Sequence, residues 1–277
     1  MTSSLKNVFS LKDQVIIITG GAGLMGTQHC QAVAEFGGIP IIMDVNSEAA
    51  NALAETIKST HQVNAMALTT DIKSKKALLA AKIEILGKFG RIDGLINNAS
   101  INPKVDEKKL QTPERFENFS MENWLGDVEV GLTGAMLCSQ VFGAVMAEQG
   151  HGAIVNISSD LGLIGPDQRL YEIPETKENQ QPVKPVSYSV IKHGLIGLTR
   201  YLATYWGPKG VRTNALCPGG IYTNQPEDFV HRLSSLIPMG RMAEKDEYQA
   251  AIIFLLSRAS SYMNGAVVSI DGGRTAW

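Results

Sequence analysis

The sequence predicts a single α/β domain, doubly wound about a seven-stranded parallel sheet flanked by helices. Three observations carry that prediction. Apolar, β-branched runs recur along the chain, and Val15-Ile16-Ile17-Ile18-Thr19 reads as a strand buried on both faces. Stretches with helical spacing alternate with those runs, which calls for right-handed crossovers. A glycine-rich turn, Thr19-Gly20-Gly21-Ala22-Gly23-Leu24-Met25-Gly26, joins the first strand to the first helix.

The elements follow in order. After the first strand a helix runs from Met25 to about Phe36, and Ile39 to Asp44 is the second strand. Ser47 is a suitable N-cap for a helix through about Ser59. Met66 to Thr70 is the third strand, Ser74 to Phe89 a helix, and Ile92 to Asn97 the fourth strand. Ser120 caps a long helix through Val130 to Met146, and Ala153 to Ile157 is the fifth strand. Val186 to Trp206 is a long helix, Val211 to Leu216 the sixth strand, Glu244 to Ser257 a helix and Ala266 to Ile270 the seventh strand. Two segments read as irregular: the polar stretch Asn102 to Ser120, and Pro166 to Pro185 with four prolines. The second is too long for an ordinary connection and is either a functional lid or a mobile excursion. No internal repeat or composition break divides residues 1–277, so one domain with a polar insert at about 166–185 is expected.

A net charge of -2 provides no basic face for nucleic acid. Cys30, Cys138 and Cys217 form neither a disulfide framework nor a metal spacing, and the five histidines form no metal set. No metal is therefore expected, and a reducing compartment is. Met1 to Lys6 lacks the apolar core of a signal peptide. The uncharged stretch Gln14 to Ala34 is broken by glycines, Thr19, Gln28 and His29, and reads as strand, turn and helix rather than a membrane span. A cytoplasmic protein is the expectation, with no membrane partner.

The glycine turn stands where a dinucleotide site requires it. Small residues let the backbone approach a pyrophosphate, and a helix N-terminus offers free N–H donors. Asp44, at the end of the second strand, can accept both ribose hydroxyls and repels a 2′-phosphate. No Arg or Lys lies within the turn, and Val45 and Asn46 follow Asp44. The cofactor expected is NAD rather than NADP. Asp71, ending the third strand, is placed to bond an adenine amine, with Ile72 beside it.

Tyr188 and Lys192 sit four apart, one helical turn, on one face. A phenol is a poor acid or base at neutral pH, and an ammonium beside it favours the phenolate and lowers its pKa. Such a pair can move a proton at a carbinol or carbonyl.

Taken in order, these motifs resemble the short-chain dehydrogenase/reductase family over nearly the whole chain. They are the turn at Thr19, Asn97-Asn98-Ala99 after strand four, Ile157-Ser158-Ser159 after strand five, and Tyr188-x-x-x-Lys192. Pro218-Gly219-x-Ile221-x-Thr223 and Asp271-Gly272-Gly273 complete the set, and the proline-glycine motif is similar to the classical subfamily. The resemblance implies a Rossmann-type fold and hydride transfer between a nicotinamide and a carbon bearing oxygen. It implies Tyr188 as general acid/base, Lys192 as the residue that depresses its pKa and holds the nicotinamide ribose, and Ser159 as the group bonding the substrate oxygen, with Ser158 the alternative. Asn98 and Ala99 then line the cofactor, and Ile221 and Thr223 hold its carboxamide. Cofactor contacts also fall on Gly20, Gly23, Leu24, Met25, Gly26, Asp44, Asp71, Ile72, Tyr188, Lys192, Pro218 and Gly219.

Two departures stand out. Leu24 replaces a glycine of the usual Thr-Gly-x-x-x-Gly-x-Gly, which makes the turn similar to that of the extended subfamily. Gly131 stands where the family usually places an asparagine that shapes the helix and holds a relaying water. Glycine permits the same irregularity but supplies no amide. Within the insert Arg169, Tyr171, Lys177 and Lys184 are placed to reach a polar or phosphorylated substrate. The turn, Glu129 to Gly134 and the insert together resemble oxidoreductases of bacterial flagellin-glycan and nonulosonic-acid synthesis, which implies a sugar or sugar nucleotide. The rival reading is a dinucleotide-binding regulator or scaffold without turnover, motivated by Gly131. A hydrolase built on Ser159 lacks a Gly-x-Ser-x-Gly elbow, and His193 reads as a surface or interface residue. The helices Ser120–Met146 and Val186–Trp206 are similar to the pair that builds homodimers and homotetramers in the family, with Val141, Phe142, Val145, Leu195 and Leu198 suited to interface or core.

Overall fold

The computed structural model describes residues 7–101 and 114–277. Most of the expected irregular segment between Asn102 and Ser120 thus lies outside the described residues. Seven strands form one all-parallel sheet: β1 (Val15–Thr19), β2 (Ile39–Asp44), β3 (Met66–Thr69), β4 (Gly94–Asn97), β5 (Gly152–Ile157), β6 (Val211–Pro218) and β7 (Val267–Ile270). Their order is β3-β2-β1-β4-β5-β6-β7. The winding reverses between β1 and β4, and the crevice beyond their carboxyl ends is where such sheets bind ligands.

Helices cover both faces: α1 (Leu24–Glu35), α2 (Ser47–His61), α3 (Lys75–Phe89), α4 (Met121–Gln149), α5 (Val186–Trp206), α6 (Glu227–Ser235) and α7 (Gln249–Leu256). Alternate residues of β1 divide the core. Ile16 and Ile18 join a cluster with Cys30, Val33, Ile252 and Leu256. Val15 and Ile17 join another with Leu78, Ile85, Phe142 and Met146. α4 is apolar and long enough to cross a membrane by composition, yet it lays one face on the sheet, and Val141, Phe142 and Val145 are core residues rather than interface. Leu195 is buried in a separate cluster with Ala135 and Ile191, and Leu198 is partly buried against both clusters. What α4 and α5 expose instead is Met121, Leu125, Met136, Val190, Tyr201 and Tyr205.

Several boundaries differ from the sequence reading for local reasons. Asn46, not Ser47, caps α2: its Oδ1 accepts the Ala49 N–H. Ser120 caps α4 as expected, accepting from Asn123 N–H. β4 starts at Gly94 because the Gln149 amide takes both backbone groups of Ile92. α7 starts at Gln249 because Glu247 turns back to accept the Glu244 N–H and both Arg241 Nη atoms. α6 was not foreseen. It packs Leu233 against Leu170, Tyr171 and Met242, and its Arg232 donates to the Glu172 carbonyl. The insert is thereby fixed over the carboxyl ends of the strands rather than looped away.

His29 on α1 is fully buried and neither ring nitrogen has a partner. Burial lowers its pKa from 6.5 to about 3. The unfolded chain therefore binds the extra proton between those values, and stability falls as pH drops below 6.5. At pH 5 the loss relative to pH 7.5 comes to about 2 kcal/mol from this residue. Urea denaturation at the two pH values measures it, and His29→Leu should remove that share of the difference.

Candidate active site

The glycine turn is built so tightly that its shape is sequence-determined. Gly20 takes φ +59, and a Cβ there would lie 2.9 Å from the Ala99 Cα. A Cβ on Gly26 would lie 2.0 Å from the Gly20 carbonyl oxygen. Asn98 braces the turn: its Nδ2 donates to the carbonyls of Thr19 and Gly20, at 3.0 and 3.1 Å. Thr19 Oγ1 accepts the backbone N–H of Asn98 and Ala99. Leu24 is 51% exposed. Its side chain leaves the turn, so the glycine usual there is not sterically required.

α1 has no side-chain cap and no acidic residue in its first turn. Its free N–H groups open onto a cavity of about 820 Å³ lined by Gly20, Gly23, Leu24 and Met25. That is the donor set a pyrophosphate needs. Asp44 lies on the same wall, its two oxygens accepting the N–H groups of Ala22 and Asn46, both at 3.0 Å. Each oxygen keeps a lone pair for a ribose hydroxyl. Asp71, Ile72, Asn98, Ala99, Pro218, Gly219, Ile221 and Thr223 line the cavity too. Gly26 does not; it acts beneath the turn. The residues present fit a nicotinamide dinucleotide.

Ser159, Tyr188 and Lys192 line the same cavity. β5 delivers Ser159 at its carboxyl end and α5 presents the other two. Ser158 is turned away, its Oγ donating to the Lys192 carbonyl at 2.8 Å. Lys192 is buried, with Nζ donating to the Ile157 carbonyl at 2.9 Å and standing 5.5 Å from the Tyr188 ring centre. Burial, helped by the charge of Lys184, lowers its pKa to about 8. The Tyr188 phenol departs from expectation: it stands above its ordinary pKa, because burial outweighs the bond from Ser159, and Asp160 adds to the rise. Lys192, 5.5 Å from the ring centre, does not offset that desolvation.

Gly131 lies in a π-helical turn, Glu129–Thr133, so the helix is irregular there without the asparagine. A Cβ on Gly131 would meet Ile191 Cγ2 at 2.7 Å. A larger residue enters only by displacing the neighbour of Lys192. Of the insert residues, Tyr171 and Lys184 line the cavity, and Lys184 Nζ lies 3.9 Å above the Tyr188 ring. Arg169 instead pairs with Asp167 at the surface, and Lys177 is exposed outside the cavity. His193 is exposed, bonded to the Ser189 carbonyl. Among the described residues no group of His, Cys, Asp and Glu is arranged for a metal.

The sequence reading missed Asp160 and Arg274, both buried cavity-lining residues. It also missed a buried amide chain behind the site. Asn97 Nδ2 donates to Ser139 Oγ and Asn156 Oδ1, and Asn156 Nδ2 to Thr199 Oγ1. Its signals were Asn97, noted only as part of a motif, and Asn156, a polar residue inside an apolar strand.

Residues 14–171 match the short chain dehydrogenase family model, and 176–275 match one described as enoyl-(acyl carrier protein) reductase. The chain belongs to the short-chain dehydrogenase/reductase family, whose members act as oxidoreductases on CH–OH groups with a nicotinamide dinucleotide. D-threitol dehydrogenase of Mycolicibacterium smegmatis is 31% identical over 276 residues, covering 96% of this chain and 95% of that one. A gluconate 5-dehydrogenase from Burkholderia cenocepacia, solved with NADP and tartrate, is 27% identical, with TM-score 0.85 over 98% of each chain. An NAD+-bound xylitol dehydrogenase at 23% identity shares the fold, with TM-score 0.83 over 95% of this chain and 99% of that one.

Proposed function

We propose that this protein is an NAD(H)-dependent oxidoreductase that moves a hydride between the nicotinamide and a secondary alcohol or ketone of a polar, polyhydroxylated substrate. The carrying observation is one cavity with Asp44 at the dinucleotide end and Ser159, Tyr188 and Lys192 at the other. The bound dinucleotide supplies or accepts the hydride. Tyr188 gives up or takes the hydroxyl proton, Lys192 orients and charges its surroundings, and Ser159 holds the substrate oxygen. Tyr171, Lys184 and Asp160 make that end polar. Threitol and gluconate, from the names of two relatives, support a sugar-like substrate. Assignment to glycan synthesis, and so to a sugar or sugar nucleotide, rests on the motifs of the turn and of Glu129 to Gly134 together with the insert.

The preference for NAD rests on Asp44, since a 2′-phosphate would face its carboxylate. Like charges so juxtaposed cost several kcal/mol, so kcat/KM for NAD should exceed that for NADP by about 100-fold. Asp44→Ser should narrow the ratio at least tenfold, chiefly by losing NAD. Equal use of both cofactors by the unmodified enzyme sinks the assignment. Three free, buried cysteines fit a cytoplasmic setting. The exposed apolar residues of α4 and α5 fit a homodimer or homotetramer.

A further inference from the structure

A buried charge pair stands directly behind Ser159. Asp160 is 6% exposed. Its Oδ1 accepts the Ser159 hydroxyl at 2.7 Å and the Leu161 N–H at 2.8 Å. Its Oδ2 lies 3.0 Å from Nε of Arg274, which follows β7 and is 4% exposed. Neither Nε nor Nη1 of Arg274 meets an acceptor in hydrogen-bonding geometry. The attraction is therefore one of charge rather than of aligned donors.

Two consequences follow. The Ser159 hydroxyl donates to the Asp160 carboxylate and also lies within bonding reach of the Tyr188 phenol, so the carboxylate sets which way the hydroxyl points until a reacting oxygen competes for its one proton. A lone carboxylate so close would also oppose negative charge forming at the substrate oxygen and at Tyr188. Asp160 already acts in that sense on Tyr188 and on Tyr171. A buried anion is tolerable there only beside a cation, and removal of either partner strands the other.

We propose that Arg274 is a positioning residue for the reaction: it neutralises Asp160, so that Asp160 can orient Ser159 without opposing the charge that forms on the reacting oxygen. The proposal rests on the reading of Ser159 and Tyr188 as catalytic groups.

The test compares the unmodified enzyme with Arg274→Met and with the double variant Asp160→Asn/Arg274→Met. An asparagine keeps an acceptor for Ser159 and removes the charge. Arg274→Met should lower kcat about 100-fold, with the dissociation constant for the dinucleotide unchanged. The double variant should regain at least tenfold of that loss. Should Arg274→Met fail to fold, a double variant that folds and turns over supports the proposal in its place. Equal losses in both variants, no loss in either, or failure of both to fold overturns it, since packing or substrate contact by Arg274 would not be rescued by neutralising Asp160. An unmodified enzyme that binds the dinucleotide but never turns over overturns the catalytic reading itself, and the proposal with it.

Discussion

Tyr188→Phe should lower kcat by about 10²–10⁴-fold while the dinucleotide binds as before. The ring stays, so its packing beneath Lys184 Nζ and beside Lys192 is kept. Only the proposed proton carrier is lost. Its replacement is not at hand: Ser159 donates to the Asp160 carboxylate, and Lys192 is anchored by the Ile157 carbonyl. The same substitution relieves a buried hydroxyl whose ionisation is already disfavoured. The thermal midpoint should therefore change little, which separates loss of chemistry from loss of fold. Stopped-flow absorbance at the nicotinamide band measures the first, and calorimetry the second.

Gly26→Ala should have the largest effect on cofactor binding. The added methyl would lie 2.0 Å from the Gly20 carbonyl oxygen and 2.7 Å from the Gly21 Cα. Both are backbone atoms, and Asn98 holds that backbone from the other side. The turn must open, at a cost on the order of 3 kcal/mol or more. Opening moves the α1 donors and displaces Ala22, whose N–H anchors Asp44. Dinucleotide affinity should fall about 100-fold or more by calorimetric titration. Gly23→Ala is the control. Its methyl would meet only the Gly20 oxygen, at 3.2 Å, so it should bind several-fold more weakly at most.

The sheet was readable because continuous apolar runs such as Val15 to Thr19 have one solution in a doubly wound fold. β1, β2 and α5 fall where periodicity places them. α6 was invisible because a nine-residue helix after Pro226 is held by Leu170 and Met242, which no local pattern reveals. Similarly, the start of β4 depends on Gln149, far along the chain.

The site divides in the same way. Each of its motifs is local in sequence, and most of their residues gather in one cavity. Asp160 and Arg274 carry no motif, and only folding places the end of β5 beside the segment after β7. The raised pKa of Tyr188 is likewise a product of burial rather than of spacing. Spacing predicts that Lys192 stands near the phenol; it says nothing about how much water the fold removes from both. The insert resolves differently again. Its prolines and charges suggested either a lid or an excursion, and α6 decides for a fixed cover that brings Tyr171 and Lys184 to the cavity.

The proposed function requires hydride transfer in this cavity governed by Tyr188. It is tested most directly by single-turnover absorbance with NAD or NADH against a panel of polyols, sugar acids, ketoses and sugar nucleotides. A stoichiometric change at the nicotinamide band is expected with at least one of them, absent in Tyr188→Phe protein that binds the cofactor equally well. Tight dinucleotide binding with no absorbance change on any substrate would contradict it and favour a non-catalytic regulator.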